Sequence, residues 1–183
     1  MARLIRFAQA GFILIGLALL IGPAGWFPDY YKPVPMGIIS IGYAFLIELP
    51  RWVFPNVYRP RLAFQTALAI GLALSGFGSL GLWGLYKHGV PYDKFVHVLL
   101  PTLLMYTGTR LFVARGRSMV KAGRLVAIII AISSVGWEII EHIASVYFHL
   151  GFFGVIFDRD SIWDIAANFT GIALAGLALY RKL

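Results

Sequence analysis

The 183-residue chain contains no cysteine. Disulfides, thiolate metal sites, iron–sulfur clusters and a cysteine nucleophile are therefore excluded. Charge is scarce as well: 13% of residues carry one, against about 25% in soluble domains. Acids are the rarest, with 8 Asp and Glu beside 16 Lys and Arg. The chain also lacks a glycine-rich phosphate loop, a His-Glu-x-x-His pair and a Ser-His-Asp arrangement. No internal repeat is visible, which argues against an inverted-repeat transporter within one chain.

Apolar residues fill the space, at 60% of the composition and a mean hydropathy of +0.80. Runs of bilayer-spanning length cover about Leu4–Ile21, Met36–Leu49, Leu62–Tyr86, Asp93–Val113, Leu125–Phe148 and Ile162–Tyr180. They predict an all-α polytopic membrane protein, a single six-helix transmembrane domain over residues 1–183. Pro50 closes the second run, and the segments Gly22–Pro35 and Arg51–Arg61 are punctuated by proline. The first run follows Arg3 and Arg6 as a signal peptide would. It is long for one and lacks a small-x-small cleavage site, so it reads as a retained helix.

A net charge of +8 would suit nucleic acid if it were gathered on a soluble face. Instead the basic residues flank the spans, so no nucleic-acid partner is expected. With the N-terminus inside, the cytoplasmic set is Arg3, Arg6, Arg51, Arg59, Arg61, Arg110, Arg115, Arg117, Lys121, Arg124, Arg181 and Lys182. Only Lys32, Lys87, Lys94 and Arg159 fall outside. This bias predicts a multi-pass protein of the cell's inner membrane, surrounded by membrane lipids, with both termini cytoplasmic. The basic loop Arg110–Arg124 is then placed to touch anionic head groups. Trp26, Tyr30, Tyr31, Trp83, Tyr86 and Tyr92 collect at the outer ends as an aromatic belt. Stripes of small residues (Gly71, Ser75, Ser79; Gly78, Gly81, Gly84; Ala167, Gly171, Ala175) allow close helix packing.

Within these apolar runs the few acids are not scattered. Asp93, Glu138, Glu141, Asp160 and Asp164 account for five of the eight. Asp93 and His97 stand four apart on the fourth span; Glu138, Glu141 and His142 stand at i, i+3 and i+4 on the fifth; Asp160, Asp164 and Asn168 stand at i, i+4 and i+8 on the sixth. Each set shares one helix face. At 1.5 Å per residue all three sets fall in the outer third to half of the bilayer, so they are expected to converge. Charge in hydrocarbon is costly, and such residues face a bundle interior or a cavity. Asp93 and Asp160 alone could be helix caps, and Asn168 alone could be interhelical glue. Ser133 and Ser134 read as hydrogen-bonding helix serines rather than nucleophiles. Pro101 frees the carbonyl of His97, four residues back.

Carboxylates so gathered need protons, a cation, or neutralisation by Lys94 and Arg159. A set of carboxylates, imidazoles and an amide without thiolate suits a divalent metal ion: zinc, manganese, iron or magnesium. His97, Glu138, His142 and Asp164 are the candidate ligands. Glu141 or Asp93 is the candidate general base, with Asp160 and Asn168 also at the site.

The patterns Asp93-Lys94-x-x-His97, Glu138 with Glu141, and Trp163-Asp164-x-x-x-Asn168-x-x-Gly171 resemble those of VanZ-like and YjdF-like bacterial membrane proteins. The opening Asp-Lys-x-x-His and closing Asp-x-x-x-Asn-x-x-Gly are similar to VanZ-like chains. The Trp-Asp pair and the doubled glutamate are similar to YjdF, although Asn168 stands where that pattern has an aspartate. The resemblance covers about residues 90–175. It implies a small multi-pass envelope protein, with VanZ linked to resistance to the glycopeptide antibiotic teicoplanin, and implies no particular reaction.

Three functions fit these residues. The first is a metal-dependent membrane enzyme acting on a lipid or lipid-linked envelope substrate. The second is a transporter or lipid mover in which the same carboxylates carry protons or a cation. The third is a buried structural network.

Overall fold

A computed structural model of the chain describes residues 1–23, 33–79, 82–148 and 159–181. Six α-helices run in order: α1 (Ala2–Ile21), α2 (Pro33–Val53), α3 (Tyr58–Ser79), α4 (Tyr92–Val113), α5 (Met119–Phe148) and α6 (Arg159–Tyr180), with a 3₁₀ segment at Leu82–His88 between α3 and α4. All six α-helices are long and apolar enough to cross a membrane. No strand occurs among the described residues.

Small residues and buried amides decide how the first three helices meet. Gly16 of α1 and Gly37 of α2 face one another so closely that a Cβ on either would stand 2.8 Å from the other's carbonyl oxygen. Below that crossing the Ser40 hydroxyl donates to the Phe12 carbonyl at 2.7 Å, and the Gln9 amide donates to the Ala44 carbonyl at 3.1 Å. The Gln65 amide of α3 donates to the Ile47 carbonyl at 2.8 Å and ties the third helix to the hairpin. In lipid these bonds replace a hydrophobic drive between helices, since lipid tails are as apolar as leucine. Ile5, Phe12, Ile47, Leu68 and Leu72 fill the space between them.

Helix α4 is the hub, packed against α3, α5 and most extensively α6. Gly71 of α3 sits where a Cβ would overlap the Leu100 side chain. Gly171 of α6 sits against the backbone of α4, where a Cβ would overlap the Val98 carbonyl oxygen. Gly71 and Gly171, one from each of two small-residue stripes, are thus packing contacts. Met105, Val126, Ile130, Ala175 and Leu179 close the lower part of the α4–α5–α6 group.

Several boundaries differ from the apolar runs: α2, α3 and α6 start three or four residues earlier, and three further differences concern Pro50, the third run and α5. Pro50 does not close the second helix: it lies buried inside α2, which continues to Val53. A proline in the last turn removes only its own N–H, and the chain beyond it stays helical. The third run is not α-helical throughout: Tyr58–Ser79 is α-helix and Leu82–His88 is 3₁₀. Helix α5 starts at Met119 and has 30 residues. At 1.5 Å per residue that is about 45 Å, longer than a hydrocarbon core of about 30 Å, so its basic first turns project beyond it. The α4–α5 turn closes with the paired bonds of a Schellman motif, Arg117 N–H to the Phe112 carbonyl and Gly116 N–H to the Val113 carbonyl. Gly116 supplies the required positive φ of 86°.

Of the expected aromatic belt, Trp26, Tyr30 and Tyr31 and the side chains of Trp83 and Tyr86 lie outside the described residues. Tyr92 opens α4 and donates its hydroxyl to the Leu74 carbonyl at 2.8 Å.

Candidate functional site

Helices α4 and α6 run parallel and in step, and that geometry assembles the site. Lys94 meets Asp164, His97 meets Asn168, and Thr102 meets Gly171. The offset is close to 70 residues at each of these levels, and Met105 and Ala175, 70 apart, share one buried cluster below them. Asp164, Asn168, Gly171 and Ala175 recur at four, three and four residues, the spacing that keeps one stripe on a neighbouring helix. Glycine at 171 permits the close approach, and the Thr102 hydroxyl there donates to the Gly171 carbonyl at 3.1 Å. Helix α5 brings Glu138 to the same level.

Three helices therefore converge. One ligand atom from each of His97, Glu138 and Asp164 lies within 4.8 Å of the others. Glu138 is 2% exposed and Asp164 7%. Ligands around a divalent ion at about 2.1 Å stand about 3.0–3.5 Å apart, so small side-chain rotations would bring the three onto one ion. The His97 Nε2–Asp164 Oδ1 separation is already 3.6 Å.

The second partner of His97 fixes what Nε2 can do. Its Nδ1 lies 3.3 Å from Asn168 Oδ1, an acceptor. A proton on Nδ1 satisfies that contact and turns the lone pair of Nε2 toward Asp164. A lone pair facing a carboxylate oxygen is repulsive unless a proton or a cation stands between them. Asn168 thus orients the imidazole as the outer-shell partner of a metal-bound histidine does.

Lys94 brings an ammonium to the group. Its Nζ lies 2.7 Å from Asp164 Oδ1 and 2.9 Å from Asp93 Oδ2. Asp93 makes no side-chain cap to α4, whose N-cap is Pro91, so the capping reading of Asp93 does not hold. Its other oxygen, Oδ1, is buried with no hydrogen-bond partner among the described residues. Asp93, Glu138 and Asp164 against Lys94 leave three negative groups to one positive when all are ionised. A divalent cation would balance the remainder, and the donor set fits one.

Not every residue expected at the site joins this group. His142 is half-buried, one turn beyond Glu138, and stands outside the group of three. Glu141 is half-buried, also outside the group, and within electrostatic range of Tyr43 on α2. The side chain of Asp160, like that of Arg159, lies outside the described residues. Ser134 is buried one turn before Glu138, whereas Ser133 is exposed.

A family model for a predicted membrane protein matches residues 6–183, nearly the whole chain. The chain belongs to the DUF2238 family. No curated protein and no solved structure matches it. For this DUF2238 chain the family description supports the membrane-spanning reading of the six helices and names no activity.

A second polar assembly of this DUF2238 protein was not foreseen. At the end of the bundle where α1 and α3 begin and α2 ends, Glu48 accepts from Arg6 at 3.3 Å and from Arg51 at 2.9 Å, with the Gln9 amide at 3.1 Å. Arg61, 8% exposed, donates from Nη1 to the carbonyls of Phe54 and Pro55. The available signal was a glutamate and two glutamines, Gln9 and Gln65, inside apolar runs.

Proposed function

We propose that this protein is a metal-dependent membrane enzyme acting on a lipid or lipid-linked envelope substrate. The convergence of His97, Glu138 and Asp164 from three helices carries the reading. Those three would hold a divalent ion, zinc, manganese, iron or magnesium, with Asn168 orienting His97. A bound divalent ion supplies Lewis-acid polarisation of a phosphoryl or acyl oxygen and lowers the pKa of bound water. Asp93 is the candidate general base, since its carboxylate is linked to Asp164 through Lys94. Glu141, outside the group of three, is placed less well for that role.

The surroundings support a lipid. A largely apolar groove of about 410 Å³ runs among α1, α2 and α3 and is completed by Trp137, the residue before Glu138. A groove of that lining within membrane-spanning helices takes an acyl or prenyl chain. The resemblance to VanZ-like and YjdF-like proteins points to the same compartment, the cell envelope.

Elemental analysis of protein purified without chelator tests the proposal, beside the variant Glu138→Gln. About one divalent ion per chain in the wild type, lost in a folded variant, supports it. Equal metal content in the two proteins, or none in either, refutes the metal reading. One observation favours a second reading: Lys94 already sits on Asp164, and a carboxylate that trades an ammonium for an incoming cation also suits a carrier. Cation flux in vesicles without turnover of added lipid would favour that alternative.

A further inference from the structure

Away from the metal-ligand candidates, the opposite end of the bundle carries a built pocket. It holds about 240 Å³, several times the ~30 Å³ share of one water molecule. Arg6, Arg51 and Arg61 line it, with Tyr58 and Gln65, and Glu48 is its one carboxylate. Glu48 is already bound by Arg6, Arg51 and Gln9. Arg61 has no carboxylate partner among the described residues. Its Nη1 holds the two carbonyls of the α2–α3 turn, while Nε is buried with no hydrogen-bond partner among the described residues. Two carbonyls and the Tyr58 ring, 5.5 Å away, meet this nine-tenths-buried guanidinium in part, but no charge of opposite sign does, and such burial is expensive unless an anion accompanies it.

The first turn of α1 reinforces this. Ala2 lines the pocket, and α1 has no side-chain cap. Uncapped N–H groups at a helix start favour an anion. Beside the pocket, Arg115 of the α4–α5 turn lies over the ring of Phe54, whose carbonyl Arg61 holds.

We propose that this pocket binds a phosphate group, borne by an anionic membrane lipid or free in solution. Planar guanidinium donors match phosphate oxygens in pairs, and Arg61 is held in place before the ligand arrives. The proposal does not depend on the metal-ligand group.

The test uses full-length protein in neutral detergent, titrated with phosphatidic acid and, separately, with inorganic phosphate against chloride at equal ionic strength. Thermal stability and native mass spectrometry give the readouts. Saturable uptake of one phosphate-bearing molecule per chain is expected. Arg6→Gln should weaken it roughly five-fold, the loss of one basic contact near an anionic surface. Its fold should survive, because Arg6 is exposed and Glu48 keeps Arg51. Arg61→Lys, which keeps the charge and loses the fork, should weaken binding as well. Lys121→Gln and Arg124→Gln, on α5 outside the pocket lining, should change nothing. Response to both ligands with the same arginine dependence assigns the site to phosphate itself. Response to phosphatidic acid alone assigns it to the lipid. Binding that never saturates, or that Lys121→Gln weakens as much as Arg6→Gln does, overturns the proposal in favour of diffuse attraction.

Discussion

Replacing Lys94 by methionine separates a metal site from a structural network. The ammonium lies within 3 Å of both Asp93 and Asp164, and the three side chains are 19%, 19% and 9% exposed. Removing one partner of a buried ion pair costs about 3–5 kcal/mol, and partial solvent access here favours the lower end. For a chain of this size about 3 kcal/mol corresponds to a melting temperature lower by about 6–12 °C. A structural network has no further response. A metal site does, because Lys94→Met removes the cation that competes for Asp164. A divalent ion at a hundred times its Kd would restore about 2.7 kcal/mol, most of the loss. Tag-free Lys94→Met and wild type would be melted in chelator and then with zinc, manganese, iron(II) or magnesium. The expected result is rescue of the variant at lower metal concentration than any shift in the wild type. Loss of stability that none of the four ions restores would refute the reasoning.

Asn168→Ala should weaken metal binding 10- to 100-fold by releasing His97, whereas Asn168→Asp keeps an acceptor and should retain most affinity, as read by metal titration. His142→Ala should leave metal content unchanged while His97→Ala abolishes it, because only His97 belongs to the group of three. Gly171→Ala adds a methyl that meets the Val98 carbonyl. Overpacking of about 1–3 kcal/mol should outweigh a helix-propensity gain of about 1 kcal/mol and lower the melting temperature. Gly176→Ala meets nothing within 4 Å and should raise it slightly.

The number and order of the helices were legible because hydrocarbon imposes a length and a composition on anything that spans it. Helix ends were less legible. Pro50 looks like a terminator in one dimension, yet inside the last turn of α2 it removes a single hydrogen bond. Gly78, Gly81 and Gly84 were read as one packing stripe, whereas Gly78 lies in α3, Gly84 in the 3₁₀ segment and Gly81 outside the described residues. The Gly16–Gly37 crossing went unseen because the other glycine on each helix, Gly11 or Gly42, stands five residues off and does not mark the same face. Only the pairing of α1 with α2 makes Gly16 and Gly37 neighbours.

The candidate site was legible for a different reason: periodicity reports which side chains share a face, and scarce charge in apolar runs reports that the face is buried. Neither reports how far one helix slides along another. The 70-residue register of α4 on α6 goes with Gly171 against the Val98 carbonyl and the Pro101 side chain, a contact whose α4 partner carries neither charge nor motif. That register pairs Lys94 with Asp164 and His97 with Asn168. The level of α5 then decides that Glu138 meets them. His142, on the same face but one turn on, is displaced by about 6 Å and falls outside the group. A slide of one turn would exchange the roles of Glu138 and His142 with no change in the spacing of any motif. The ligand set therefore depends on the packing of small residues below the site as much as on the polar residues within it.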